Sequence, residues 1–313
     1  MAIQRQNIIR GPAIVTYDSE VYYSEDDIIV TPNIETMQIP SSVNGNEDER
    51  LVNITHEITF TPVGKWSHVK KLLNTFATPV IGGSIFGSTD KDLVINTVGG
   101  QKITYKAAAI TSLPQVRFSS VNRLLGSVTF TAIGANNTAF DNAAKRIVQA
   151  SEAFNDDSHD PDDVLTQAYS VAWGSTAPFD ALETEDGVTV SFNLSLQPVQ
   201  TDRDGIVDMT VENVEVMAML TPVGLSEANM LTLMKLQGTG VQRGASLGAM
   251  NSNDLVITGT GVYAAIYGAA PKQGPMRFGR TVLRSGQVGF VATRRYDDGA
   301  LEPLYLLADA APE

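Results

Sequence analysis

Three blocks of this sequence occur twice, in the same order and in nearly the same register. Thr61-Pro62-Val63-Gly64 returns as Thr221-Pro222-Val223-Gly224, and Asp92-Leu93-Val94-Ile95 returns as Asp254-Leu255-Val256-Ile257. Arg117-Phe118 with Gly126, Val128, Phe130 and Ala132 is answered by Arg277-Phe278 with Gly286, Val288, Phe290 and Ala292. The outer anchors lie 160 residues apart and the middle one 162, so a two-residue change of loop length enters and is then compensated. A period this long is a whole domain, not one turn of a solenoid. The 313-residue length agrees, since it suits about two domains that each bury a core. The expectation is one module duplicated and fused: residues 1–138, a linker over 139–163, and residues 164–313.

Within each half the dominant local pattern alternates with a period of two. Val188, Val190, Phe192, Leu194 and Leu196 make one apolar face, and Thr189, Ser191, Asn193, Ser195 and Gln197 the polar one. Val52, Ile54, Ile58 and Phe60 alternate likewise with Asn53, Thr55, Glu57 and Thr59. Their repeat mates set Val214, Val216, Ala218 and Leu220 against Asn213, Glu215, Met217 and Met219, and an earlier strand offers Thr31, Asn33 and Glu35 on its polar side. Such strands are wet on one face. His56 falls on the apolar side of its strand and is expected in the core. Turn-rich segments at 41–50 and 200–205 join the strands of each pair, and tighter hairpins are expected at Val98-Gly99-Gly100 and Gly259-Thr260-Gly261. The fold class is therefore mainly β, with sandwich or barrel modules.

Each module also predicts one short helix after its Thr-Pro-Val-Gly. Val69, Leu72, Leu73 and Phe76 form an i, i+3, i+4, i+7 stripe suited to covering a sheet. In the second half Ser226 is placed as N-cap, Met230, Leu233 and Met234 as the stripe, and Gly238 as the terminator. Between the repeats, Phe140, Ala143, Ala144, Ile147 and Val148 predict an additional helix ahead of the acidic run 155–163. These unshared pieces are the expected fastener between modules.

Composition narrows the function. With 35 acidic and 22 basic residues the net charge is -13, which disfavours a phosphate-gripping nucleic-acid binder. The absence of cysteine removes thiolate nucleophiles, thiolate metal sites and disulfides. Three histidines without partner spacing do not read as metal ligands, and the acidic run lacks the ligand alternation and glycine of a calcium loop. No secretory signal or membrane-spanning segment is expected. Gly244-Ala245-Ser246-Leu247-Gly248 matches a nucleophile elbow, yet every histidine precedes Ser246, and the repeat mate Gly83-Ser84-Ile85-Phe86-Gly87 lacks the spacing. Gly238-Thr239-Gly240 misses the dinucleotide fingerprint by one position and follows a helix. The expectation is a protein with no catalytic residue, no metal and no cofactor.

The run Glu57-Ile58-Thr59-Phe60-Thr61-Pro62-Val63-Gly64-Lys65-Trp66, a strand turning a corner into a helix, resembles the tail tube (major tail) proteins of long-tailed bacteriophages. The resemblance is strongest over residues 25–134. The second half keeps the corner but has Leu225-Ser226 in place of Lys65-Trp66. It implies a virion protein, assembled in the host bacterial cytoplasm, whose sheets join those of its neighbours to close a ring around a channel. Rings then stack into a tube that delivers the genome. Single-domain members form hexameric rings, and a duplicated subunit would supply six modules from three chains. The implied partners are further copies of the chain, the tape-measure protein, terminator or baseplate proteins, and genomic DNA as a passenger held without specificity.

Physical reasoning points the same way. Half-wet sheets with unprotected edges need closure or partners, and two unequal halves admit threefold but not true sixfold symmetry. A cationic lumen would trap DNA, whereas a polar, mildly anionic one lets it pass. The candidate lumen residues are Asn33, Glu35, Asn53, Thr55, Glu57, Thr59, Thr189, Ser191, Asn193, Asn213 and Glu215. The candidate ring-stacking loops are Asn44, Gly45, Asn46, Glu47 and Asp48 with Asp202, Arg203, Asp204 and Gly205; deleting 44–48 is expected to spare folding and stop tube growth. The competing reading is another β-rich virion component, a baseplate, decoration or adhesin protein, that does not polymerise. A serine hydrolase acting through Ser246 is a third.

Overall fold

A computed structural model describes residues 12–41, 43, 45–63, 66–86, 91–121, 124–134, 146–154, 167–201, 205–234, 253–274, 276–278, 283–293, 296–297, 300–301 and 303–312. The chain is mainly β. It opens with the hairpin β1 (Ala13–Tyr17) and β2 (Glu20–Ser24), then a long hairpin of β3 (Ile29–Ser41) and β4 (Gly45–Phe60). After β5 (Pro62–Val63) and helix α1 (Trp66–Asn74) come β6 (Lys91–Thr97), β7 (Gln101–Ser112), β8 (Val116–Phe118), β9 (Leu124–Leu125), β10 (Val128–Ala132) and β11 (Ile147–Ser151). The second half runs β12 (Ser170–Trp173), β13 (Glu183–Thr201), β14 (Gly205–Val223), α2 (Glu227–Met234), β15 (Asn253–Gly259) and β16 (Val262–Gln273). It ends with β17 (Met276–Phe278), β18 (Leu283–Ser285), β19 (Val288–Val291), β20 (Tyr296–Asp297), β21 (Ala300–Leu301) and β22 (Tyr305–Ala308).

Two large antiparallel sheets result. The first is ordered β3-β4-β10-β7-β6-β1-β2-β5 with β11 also on β7; the second is β12-β15-β16-β19-β14-β13-β8-β9 with β22 also on β16. Read from the long hairpin, both contain the same path. The β3–β4 ladder pairs Val30 with Ile58, Asn33 with Thr55 and Thr36 with Leu51; the β13–β14 ladder pairs Val190 with Ala218, Asn193 with Glu215 and Leu196 with Val211. Register shifts fall at Glu35/Thr36 and Ile39/Pro40 in one, and at Ser195/Leu196 and Val199/Gln200 in the other, the same 160-residue offset; the longer second ladder has a third shift at Thr184/Val188. Gly45 and Gly205 open β4 and β14 at φ of 79° and 68°, the left-handed geometry that a tight turn into a strand requires.

The helices follow their stripes. α1 buries Trp66, Val69, Leu72 and Leu73, each worth about 1.5–3 kcal/mol relative to exposure. Ser226 caps α2, its Oγ accepting from the Asn229 amide at 3.3 Å, and Met230 and Leu233 are buried below it. Gly238 lies outside the described residues.

Between the repeats the structure differs from the expected helix. Ile147 and Val148 do not end a helix; Ile147–Ser151 is a strand on β7, in the place that β22 takes on β16. Its β-branched start suits an edge strand as well as a helix stripe. The acidic run 155–163 lies outside the described residues. So do Phe140, Ala143 and Ala144. Among the described residues the halves are joined where β8, from the first half, pairs with β13, and where α1 packs on β22. The two cores are also continuous, one apolar cluster running from Val15 and Phe60 through Trp66 and Phe118 to Phe192, Phe290 and Tyr305.

Candidate functional site

The polar strand faces form two walls. In the first, Asn33 pairs with Thr55, Glu35 with Asn53 and Thr31 with Glu57, and the ladder continues through Thr59 opposite Thr129 and Glu57 opposite Thr131. Hydroxyls tie it laterally: Thr59 to Thr129 at 3.0 Å and Thr111 to Thr131 at 2.9 Å. Behind it His56 lies on the apolar side, buried and 5.7 Å from the Tyr105 ring. Burial and the nearby positive Arg146 push its pKa down, which favours the neutral imidazole.

Not all of this wall meets solvent. Asn33 and Glu35 are exposed, and Glu57 and Thr59 are half-buried. Asn53 and Thr55 are only 3% and 5% exposed, and the start of β14 at Gly205 and Ile206 lies against Asn53. The Asn53 Oδ1 accepts the Ile206 amide at 3.3 Å, and Gln200 reaches Glu35 at 3.3 Å. Below this clasp Ile206 and Met209 pack on Phe86, Ala107, Ala109 and Ile133. Asn53 is thus an inter-sheet contact, and Thr55 two residues on is buried as well. The polarity of Asn53 serves the backbone at the start of β14.

The second wall holds Thr189, Ser191 and Asn193 opposite Met219, Met217 and Glu215, with Asn213 exposed beyond them. Two cations join it that the strand alternation did not reveal. Lys272 binds Glu215 at 2.6 Å and, with support from Asn193, holds that carboxyl below its usual range against the opposing effect of burial. Arg117 stands opposite Thr189 and bonds the Asp186 carbonyl at 3.2 Å, while Gln115 donates to Ser191 at 2.9 Å. Of the three candidate wall carboxylates, one is therefore neutralised. Lys272 and Arg117 come from other strands, so only sheet order brings them here.

The stacking candidates also shift. Gly45–Asp48 belong to β4, with Asp48 opposite Ile39, so the expected ten-residue loop is mostly ladder. Gly205 is a buried strand residue under Asn53. Asn44, Asp202, Arg203 and Asp204 lie outside the described residues, as do the side chains of Asn46 and Glu47. Ser246 and its flanking glycines also lie outside them. The repeat mate Ser84 is described: its segment pairs with β14, Gly82 donating to Val211 at 2.8 Å and Ile85 to Met209 at 2.9 Å.

Among the described residues no group of three or more His, Asp or Glu side chains converges as a metal site. No helix among them is long and apolar enough to cross a membrane. Comparison with known protein families and with curated proteins finds no match.

Proposed function

We propose that the chain is a structural subunit of a bacteriophage-type tail tube, built as two tandem copies of one module and acting by self-assembly, not catalysis. The observation that carries the reading is the repeated ladder. Two long hairpins share their pairing, two register shifts and their turn glycine at a 160-residue offset, a level of agreement that one ancestral module explains. β11 then belongs to the first module as β22 belongs to the second, which extends that module past residue 138.

Three such chains would present six modules in a ring, with the polar hairpin faces toward a channel and successive rings stacked head to tail. Glu35 and Glu57 would give that wall its weak negative charge, and among the described residues the wall cations Lys272 and Arg117 are matched by Glu215 and Asp186, which leaves no excess to hold DNA. Copies of the chain, a tape-measure protein and terminator or baseplate proteins are the partners this reading requires. The decisive experiment is negative-stain electron microscopy of the purified chain across a concentration series. Rings or tubes with an axial channel are expected; discrete monomers at every concentration would overturn the proposal in favour of a non-polymerising virion component.

A further inference from the structure

Among the described residues, the contact between the two halves of the chain leaves one strand edge and one hairpin without a sheet partner, although β18 of that hairpin lies near β14. In the second sheet β13 has β14 on one edge and β8 on the other, through Val188 opposite Phe118, Thr189 opposite Arg117 and Val190 opposite Val116. Its counterpart β3 has β4 on one edge, and among the described residues no strand on the other. The donor hairpin is likewise present twice. β8–β9 pairs Val116 with Leu125 and Arg117 with Leu124; β17–β18 pairs Met276 with Ser285 and Arg277 with Arg284, 160 residues on. Among the described residues β17–β18 joins no larger sheet.

Resting on the assembly reading above, we propose that β17–β18 of one copy adds to the free edge of β3 in the next. The register follows from the internal pair: Arg277 opposite Ile29, Met276 opposite Val30 and Phe278 opposite Ile28. The two surfaces fit because they are versions of a pair that already fits within the chain, and edge addition satisfies a row of open backbone groups.

Burial marks the same surface. Val188 and Val190 are 0% and 2% exposed beneath β8, whereas their counterparts Ile28 and Val30 are only half-buried and Ile29 is 57% exposed. Val211, paired with the 82–83 segment, is 5% exposed, and its counterpart Leu51 is 44% exposed. The helix contact repeats the pattern. Under α1, Tyr305 and Leu307 of β22 are buried; at the equivalent ladder positions of β11, which would face α2 of the neighbouring copy, Ile147 is half-buried and Gln149 exposed. The contact is head to tail, so each added copy restores the same free donor and acceptor until a ring closes.

The chain contains no cysteine, which makes the register directly testable. Ile29→Cys and Arg277→Cys chains, mixed and oxidised, are expected to give a disulfide-linked heterodimer. Arg117→Cys with Thr189→Cys in one chain is the internal control for the same strand pair. Leu51→Asp, at a position open in the single chain, is expected to raise the concentration needed for assembly at least about tenfold while leaving the monomer's circular dichroism unchanged. A 29–29 link would mean a twofold contact and overturn the proposal. So would normal assembly of Leu51→Asp, or assemblies that give the internal link but no 29–277 link; both results leave the tube reading standing. A parent chain that never associates removes both.

Discussion

Trp66 donates its indole N–H to the main-chain carbonyl of Ala308 across 3.1 Å, although 242 residues separate them. The first half's helix is thereby tied to the second half's last strand. Asn74 exchanges bonds with both backbone groups of Leu307 at 2.9 and 3.3 Å, Tyr305 donates to the Leu73 carbonyl, and Lys70 meets Asp309 at 2.5 Å. Edge-on packing of Trp66 against Phe118 carries the same joint to β8.

Trp66→Ala is expected to cost about 3–5 kcal/mol through cavity formation, and Trp66→Phe about 1–2 kcal/mol through the orphaned Ala308 carbonyl and lost volume. Urea unfolding followed by circular dichroism measures both. Because the core is continuous, one cooperative transition is expected; two separated transitions would show that the halves unfold independently.

Gly187 sits at φ +81°, and a Cβ there would lie 2.0 Å from the Phe118 carbonyl oxygen. Gly187→Ala is expected to destabilise by more than about 1–2 kcal/mol and to release β8 from β13. Hydrogen exchange should accelerate selectively at 116–118 and 188–190. Unchanged protection there would contradict the strand's role as the joint.

Asn53→Ala removes the acceptor for the Ile206 amide and is expected to cost about 1–3 kcal/mol. Asn53→Asp keeps an acceptor but buries a charge, so its deficit should be larger at neutral pH and shrink on acidification as the carboxyl protonates. Thermal melts at two pH values separate the variants, and equal deficits at both would count against a covered Asn53.

His56 predicts a pH dependence of defined sign. Its native pKa lies below the ordinary 6.5. Between that lowered value and 6.5 the unfolded chain binds a proton that the native chain refuses, so stability is full above this window and falls as pH drops through it. His56→Gln should flatten the slope of unfolding free energy over that range; an unaltered slope would place the titration elsewhere.

Much of the fold is legible in the chain because it is encoded locally. Alternation at 188–196 and 52–60 identifies which face of each strand is apolar, and Leu72 and Leu73 identify the helix face. Ser226 is readable as a cap because capping needs only a short polar side chain before a helical stripe. Other elements misled for physical reasons. Asn-Gly and a run of acids at 44–50 look like a loop, yet only the turn itself needs them, and the remainder extends β4. Ile147-Val148 is too short to distinguish a two-residue from a helical period.

What the sequence by itself determined is the repeat, the strand pattern, the helix stripes and the polar or apolar identity of each strand face. All depend on neighbours within a few residues or on comparison of the chain with itself. Only the tertiary structure decided that the Asn53 and Thr55 part of a polar face is covered, that Lys272 answers Glu215, and that β8 and Trp66 join the halves. Those outcomes depend on which distant segment folds over a surface, and a side chain's polarity records its own preference for water but not whether another strand takes the water's place.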